Sequence, residues 1–203
     1  MGLYEKHLLP HLIDFACGAP ELTPYRQTVV SQARGTVLEI GFGSGPNLPL
    51  LPAAVERVLA VDPSGTARKI GEKRIAAATC EVDFIGLDSE RIAAATGSAD
   101  CALSTFTLCS IADVAGALRE VRRILKPGGV FLFVEHGRAP DPRTSRWQDR
   151  MNGLQRYLCG GCNLNRDIAG LVRDAGFALR DLEVGYAPGL PRTHAYLYTG
   201  VAV

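Results

Sequence analysis

The sequence predicts an α/β fold in one domain: a wound, mostly parallel sheet with helices on both faces, closed by an antiparallel pair of strands. Two observations carry this. Between Thr36 and Val134, short apolar runs alternate with longer amphipathic ones, the rhythm that parallel strands joined by crossover helices require. After Glu135 the rhythm changes, and the last two apolar runs are separated only by "PGLPR", a loop too short to hold a crossover helix. Those two strands must therefore run antiparallel.

The elements follow in order. "TVLEI" runs into a glycine-rich turn, "RVLAV" ends at Asp62, "EVDFIG" ends near Asp88, and "ADCALSTF" and "GGVFLFVE" are the fourth and fifth strands. Between them lie the helices "GTARKIGEKRIAAA" and "DVAGALREVRRIL"; Asp113 caps the second, and "KPGG" stops it before the next strand. Beyond Glu135, "DPRTSRWQDRMNGLQRYL" reads as an amphipathic helix. "NRDIAGLVRDAG" reads as another, with Asn165 as its cap and Gly176 just past its end. "ALRDLEVGYA" and "THAYLYTGVAV" are the closing strands, with His194 at the start of the last.

Composition bounds the function classes. At 203 residues, 47% hydrophobic and 21% charged, the chain suits one ordinary globular domain, and its formal charge of +1 offers no field for phosphate backbones or anionic membranes. No nucleic-acid partner is expected. The N-terminal stretch "MGLYEKHLLPHLIDFACG" has apolar residues near helical spacing, but Pro10 breaks it and Glu5, Lys6 and Asp14 interrupt it, so it reads neither as a secretion signal nor as a membrane span of ~20 apolar residues. A cytoplasmic chain without a stable membrane anchor is the expectation. Its six cysteines, at 17, 80, 101, 109, 159 and 162, are accordingly expected to be reduced and mostly buried.

Chemistry is concentrated in "VLEIGFGSGPN". A strand entering Gly41, Gly43 and Gly45 lets the backbone turn tightly and approach a ligand that no side chain obstructs. A dinucleotide fingerprint needs glycine at the first, third and sixth positions, and the sixth here is Pro46. Glycines at the first, third and fifth positions, with Glu39 two residues ahead, are instead the pattern of S-adenosylmethionine methyltransferases. Asp62 follows about twenty residues after the first glycine, where a carboxylate can accept from ribose hydroxyls. Asp88 lies beyond the third strand, where a carboxylate can accept from the adenine amino group while the Ser89 N–H reaches a ring nitrogen. Each acid alone has a plain reading as a turn residue. Three strand ends aimed at one crevice are harder to obtain without a ligand, because open parallel sheets bind ligands outside those ends.

Together with "VDPS", "STFTLCSIAD", "LREVRRILKPGGVFLFVEHGRA" and "GGCNLNRDI", these motifs resemble the class I methyltransferases, and specifically the small bacterial relatives of the eukaryotic methyltransferase-like thiol S-methyltransferases. The resemblance runs from about Tyr4 to Val203. It implies a Rossmann-like seven-stranded sheet with an antiparallel last strand, S-adenosylmethionine as cofactor (released as S-adenosylhomocysteine) and a small-molecule acceptor. It also implies cofactor contacts at Glu39, Gly41, Gly43, Gly45 and Asn47 for the methionine end, Asp62 and Pro63 for ribose, Asp88 and Ser89 for adenine, and Thr105, Phe106 and Leu108 along the cofactor's edge. Residues 1–34 would form a helical lid, 35–136 the cofactor-binding half, and 137–203 the acceptor side with its closing hairpin. The eukaryotic relatives carry an apolar N-terminal segment that attaches them to membranes, and no such segment stands here.

Methyl transfer from a sulfonium already has a good leaving group, so alignment and exclusion of water do most of the work, and a base matters only when the acceptor must lose a proton. His136 and His194 are the candidate bases at the ligand end; Tyr4, Cys162, Asn163 and Arg192 are candidate acceptor contacts. A thiol acceptor ranks first, with O- or C-methylation of a phenol, quinone precursor or other small metabolite as the alternative. A catalytically silent cofactor-binding module is the reading from another class.

"YLCGGCNLNRD" spaces two thiols as a zinc knuckle or redox pair would. A structural zinc needs four ligands, and no second close pair of Cys or His stands in the chain; a thioredoxin-type pair opens a helix directly after a strand, which this one does not. No metal is expected. Cys159 then serves packing, while Gly160, Gly161, Cys162 and Asn163 form a glycine hinge over the acceptor end.

Overall fold

A computed structural model describes residues 3–86 and 92–203. Seven strands form one sheet: β1 (Gly35–Ile40), β2 (Val55–Val61), β3 (Glu81–Phe84), β4 (Ala99–Thr105), β5 (Leu125–His136), β6 (Leu179–Tyr186) and β7 (Tyr196–Ala202), in the spatial order β3-β2-β1-β4-β5-β7-β6. Pairing is parallel from β3 through β5, and β7 runs antiparallel to both neighbours, β5 and β6. This is the expected wound sheet, with the last strand slotted between β5 and β6. The order reverses between β1 and β4, the switch point outside which open sheets bind ligands.

The helices are α1 (Leu9–Cys17), α2 (Thr23–Val30), α3 (Gly65–Ile70), α4 (Glu72–Ala76), α5 (Val114–Ile124), α6 (Pro142–Leu158), α7 (Ile168–Asp174) and the single turn α8 (Arg192–Ala195). Alternation along the strands builds two cores, because successive side chains point to opposite faces. Leu38, Ile40, Phe131 and Phe133 pack with Leu118 and Val121 of α5 and with Ile168 and Val172 of α7. Val37, Val58, Leu103, Leu132 and Val134 pack on the other face with Val29 and Val30 of α2. Phe131 and Phe133 are fully buried, and truncating either to Ala costs about 3 to 5 kcal/mol.

The expected elements are present with four adjustments. The helix read over "GTARKIGEKRIAAA" is two helices broken at Gly71, whose bare Cα lies against the glycine loop; a Cβ there would stand 2.4 Å from the Ser44 carbonyl oxygen. "KPGG" lies inside β5, which begins at Leu125 opposite Ala99 and shifts register before Cys101, with Gly128 at φ +78°. Asp167, not Asn165, caps α7: its side chain accepts from the Gly170 N–H at 3.0 Å, while Asn165 donates to Asp149 at 2.8 Å. His194 lies in α8 rather than opening β7, because Pro191 sets a helical turn before the strand. Asp113 caps α5 as expected. Among the described residues all six cysteines are free, and no helix is long and apolar enough to cross a membrane.

Candidate active site

The carboxyl ends of β1, β2, β4 and β5 converge on one edge of the sheet, and Glu39, Asn47, Thr105, Glu135 and His136 are buried there. Gly41, Gly43 and Gly45 all take positive φ, +69°, +57° and +70°, which only glycine adopts without strain. A Cβ on Gly41 would come 2.0 Å from the Thr107 hydroxyl, so the loop after β4 seals against the loop after β1. Above Gly43 the nearest heavy atom to such a Cβ would be 3.9 Å away: the loop is bare where a ligand can approach its backbone.

Glu39, 1% exposed, lies beneath this loop. Its Oε1 accepts from Asn47 Nδ2 at 2.8 Å, and its Oε2 has no partner among the described residues. Burial pushes its carboxyl up to about 7, against the opposing pull of the Asn47 hydrogen bond and Arg26. At the end of β2, Asp62 accepts from the N–H groups of Gly43 and Ser64, each at 2.8 Å, and thereby ties the glycine loop to the second strand. Burial raises its carboxyl despite those two bonds. Each oxygen keeps a lone pair for a further donor. Pro63 carries the chain from Asp62 to Ser64, which caps α3.

The N-terminal segment covers the same loop. Arg26 of α2, 3% exposed, donates to Asn47 Oδ1 at 2.9 Å, to Thr105 Oγ1 at 2.5 Å and to the Cys17 carbonyl at 2.9 Å, with its guanidinium 5.0 Å from the Phe106 ring centre. Asp14 of α1 accepts from Ser44 and, at 2.8 Å, from Arg74. Arg26 and Asp14 carry no local signal as site residues, since a lone Arg or Asp on an N-terminal helix has none, whereas Ser44 stands inside the glycine motif. Phe106 is the one non-glycine residue at positive φ (+56°) among those described, a backbone strain of about 1 to 3 kcal/mol held at the strand end. Leu108 is fully buried; its N–H and that of Thr107 donate to Glu135, which also accepts from Ser104. Glu135 is therefore a structural carboxylate, not a free base.

At the other end of this edge, His136 closes β5 with Nε2 3.2 Å from the Cys162 sulfur and Nδ1 unpartnered among the described residues. The Gly160 and Gly161 hinge, at φ +57° and +86°, brings Cys162 in. Asn163 then fixes it: both its backbone N–H and its side-chain amide donate to the Cys109 carbonyl, at 2.9 and 2.8 Å. Cys109, His136 and Cys162 form one buried cluster whose donor atoms all lie within 4.8 Å of one another. The fold gives Cys162 two partners from other segments and leaves Cys159, the other thiol of the spaced pair, out of the cluster. The His194 ring centre is 6.1 Å from that of His136, its Nδ1 is 3.0 Å from the Thr193 hydroxyl, and burial and then the neighbouring His136 push it down to about 4.

Two expected acceptor contacts are engaged elsewhere. Arg192 is largely exposed, 3.6 Å from Asp141 and stacked 4.2 Å from the Tyr186 ring centre. Tyr4 donates to the Leu158 carbonyl at 2.8 Å, fastening the N-terminus to the end of α6 beside the glycine hinge. Asp88 and Ser89 lie outside the described residues.

A family model described as "Methyltransferase domain" matches residues 38–133. The human thiol S-methyltransferase TMT1A is 33% identical over 205 residues, covering 98% of this chain and 78% of that protein. A Rubrivivax gelatinosus ubiquinone/menaquinone biosynthesis C-methyltransferase, UbiE, is 35% identical over 104 residues, covering 51% of this chain and 40% of its own. Among solved structures, an S-adenosylmethionine-dependent methyltransferase from Thermotoga maritima superposes with a TM-score of 0.66 at 20% identity, covering 98% of this chain and 97% of that one, a likeness of fold alone. With a bare glycine loop over Glu39 and Asp62 at the switch point of a seven-stranded sheet, the chain belongs to the class I S-adenosylmethionine-dependent methyltransferases.

Proposed function

We propose that this methyltransferase acts on the thiol of a small, fairly apolar molecule. S-adenosylmethionine supplies an electrophilic methyl on a sulfonium sulfur. The residues present fit it: the orphaned, buried Glu39 Oε2 suits its ammonium group, the uncluttered backbone at Gly43 leaves room for its chain to approach the loop, and the remaining lone pairs of Asp62 suit its ribose hydroxyls. In this reading Gly41, Gly45, Asn47 and Pro63 shape that cradle, and Thr105, Phe106 and Leu108 form its edge. Asp88 and Ser89 keep the adenine role proposed from the sequence. Residues 1–34 act as the lid, held by Arg26 and Asp14 on the cofactor side and by Tyr4 on the other.

The observation that carries the acceptor reading is the composition of the far end of the edge: imidazoles and thiols, with Glu135, the carboxylate next to His136 in the chain, already committed to three donor groups. Such a setting supports an acceptor that ionises near ~8.5, and offers little to a phenol near ~10 or a carbon acid. The similarity to thiol S-methyltransferases supports the same acceptor. His136, Cys162 and Asn163 contact the acceptor, and His194, neutral at physiological pH, receives a hydrogen bond from it or from water. Tyr4, fastened beside the glycine hinge, serves the rim of the site, and Arg192, paired with Asp141, stands apart from it.

The test is incubation with methyl-labelled S-adenosylmethionine and matched panels of thiols, phenols and quinols. Transfer to apolar thiols, at least about tenfold faster than to their oxygen counterparts, is the expected result. Preferential transfer to quinols would replace this reading with carbon or oxygen methylation, to which the UbiE similarity points.

A further inference from the structure

We propose that Cys109, His136 and Cys162 bind one zinc ion and leave its fourth position for the acceptor thiol, which is held there as a thiolate. The second half rests on the thiol reading above; the first stands on geometry alone.

Three segments far apart in sequence bring two sulfurs and one imidazole to a common point: the turn after β4, the last residue of β5, and the glycine hinge after α6. Their donor atoms lie within 4.8 Å of one another, with Cys162 Sγ and His136 Nε2 at 3.2 Å. A tetrahedral zinc with bonds of about 2.3 Å to sulfur and 2.0 Å to nitrogen sets its donors roughly 3.5 to 3.8 Å apart. The observed separations bracket those values, so side-chain adjustments of about 1 Å bring the three donors to tetrahedral spacing. All three residues are buried, 3%, 8% and 8% exposed, and His136 keeps a ring nitrogen without a partner among the described residues. The spacing of the two sulfurs is fixed from outside, by the double hydrogen bond of Asn163 to the Cys109 carbonyl, and the place of His136 by its pairing with Leu197 in the sheet. Ligand-bearing loops held this way favour binding, since fewer groups must be ordered by the ion.

The donor set selects the ion. Two thiolates and an imidazole suit zinc over the oxygen-seeking cations. Among the described residues no fourth His, Cys, Asp or Glu joins the three, and three protein ligands with one exchangeable position is the pattern of catalytic rather than structural zinc. The Thr107 hydroxyl, two residues from Cys109, reaches the Gly41 carbonyl at 3.4 Å, so the cluster and the glycine loop share one wall.

The step balances without an oxidant or reductant. The acceptor's S–H bond breaks as its sulfur bonds zinc, and the proton leaves to solvent. A sulfur lone pair then forms the S–CH3 bond while the methyl–sulfonium bond breaks and returns its electron pair to S-adenosylhomocysteine. The neutral thioether, a weak ligand, departs from the ion. Zinc stabilises the thiolate in a buried site where a free thiol would stay protonated.

The test is zinc content of the full-length protein, purified without chelator, loaded with zinc and gel-filtered. About one ion per chain is expected in the wild type and in Cys159→Ser, falling to under about a tenth in Cys109→Ser, Cys162→Ser and His136→Gln. S-adenosylhomocysteine binding by calorimetry identifies variants that remain folded. A wild type holding less than about a tenth of an ion overturns the site, whatever the variants do. Cobalt(II) substitution reads the fourth position: addition of a thiol that the enzyme methylates should shift the thiolate-to-cobalt bands. Cobalt bands unmoved by a thiol that the enzyme methylates would overturn the fourth-ligand assignment. Stoichiometric zinc in an enzyme that methylates no thiol would leave the metal site standing and remove the proposed acceptor.

Discussion

The glycine-loop end and the histidine–cysteine end of the sheet edge bury polar groups in different ways. At the first, side chains from consecutive strand ends meet backbone: Asp62 takes the N–H groups of Gly43 and Ser64, and positive-φ glycines open the path. At the second, side chains from three remote segments meet one another, and the backbone serves only to fix their spacing through Asn163. A site made of backbone tolerates few side-chain changes nearby but is written in a short stretch of sequence. A site made of side chains depends on the whole fold to bring them together, and its parts carry no mutual spacing.

The comparison can be broken first at Gly41. Gly41→Ala puts a methyl group into Thr107 at positive φ, and a loss of about 3 kcal/mol of stability is expected, with cofactor binding abolished by calorimetry. Unchanged melting and affinity would mean that the two loops do not seal. Asp62→Ala should weaken S-adenosylmethionine by about 1.5 to 3 kcal/mol, through lost charge-assisted bonds and a loosened loop, and leave zinc content intact. Equal affinity would remove Asp62 from the cofactor site.

Asn163→Ala acts at the opposite end, where it removes the side-chain half of the clamp on the Cys109 carbonyl and keeps the backbone half. It should cost about 1 to 2 kcal/mol in thermal or urea unfolding while cofactor affinity stays within about twofold. A parallel collapse of cofactor binding would show the two ends to be one cooperative unit.

Glu39 sharpens the contrast through pH. Its carboxyl is pushed up to about 7 in the fold, above the unfolded value near 4.5, so the folded ligand-free protein binds the extra proton. Its contribution to stability is present below about pH 4.5 and is lost as pH rises towards 7. An ammonium ligand prefers the ionised form, so cofactor affinity should rise with pH up to about 7, by at most roughly tenfold per unit, and then level off. Calorimetry across this range should show the slope in the wild type and a flat profile in Glu39→Gln. The smallest effect is a helix cap: Asp167→Ala should cost about 1 kcal/mol of stability and Asn165→Ala under about 0.5, and the reverse order would return the cap to Asn165.

Much of this could be read from the chain. Alternating apolar and amphipathic runs marked the five parallel strands because strands covered by helices on both faces must be largely apolar, and "PGLPR" fixed the sense of the last pair because five residues cannot cross a sheet. Boundaries were less legible where tertiary contact overrides local preference. Gly71 breaks a helix whose residues favour continuation, because Ser44 lies against it. Asp167 wins the cap over Asn165, whose amide is drawn to Asp149.

By itself the sequence determined the sheet, the glycine loop and the carboxylates at its strand ends, since each is a property of neighbours in the chain and of the turn geometry they require. Only the tertiary structure decided that Arg26 bridges α2 to Asn47 and Thr105, that Arg192 faces Asp141, and that Cys162 finds Cys109 and His136 rather than Cys159. Those contacts join residues up to 79 positions apart, and no periodicity encodes which side chains meet when three loops close over the same end of a sheet.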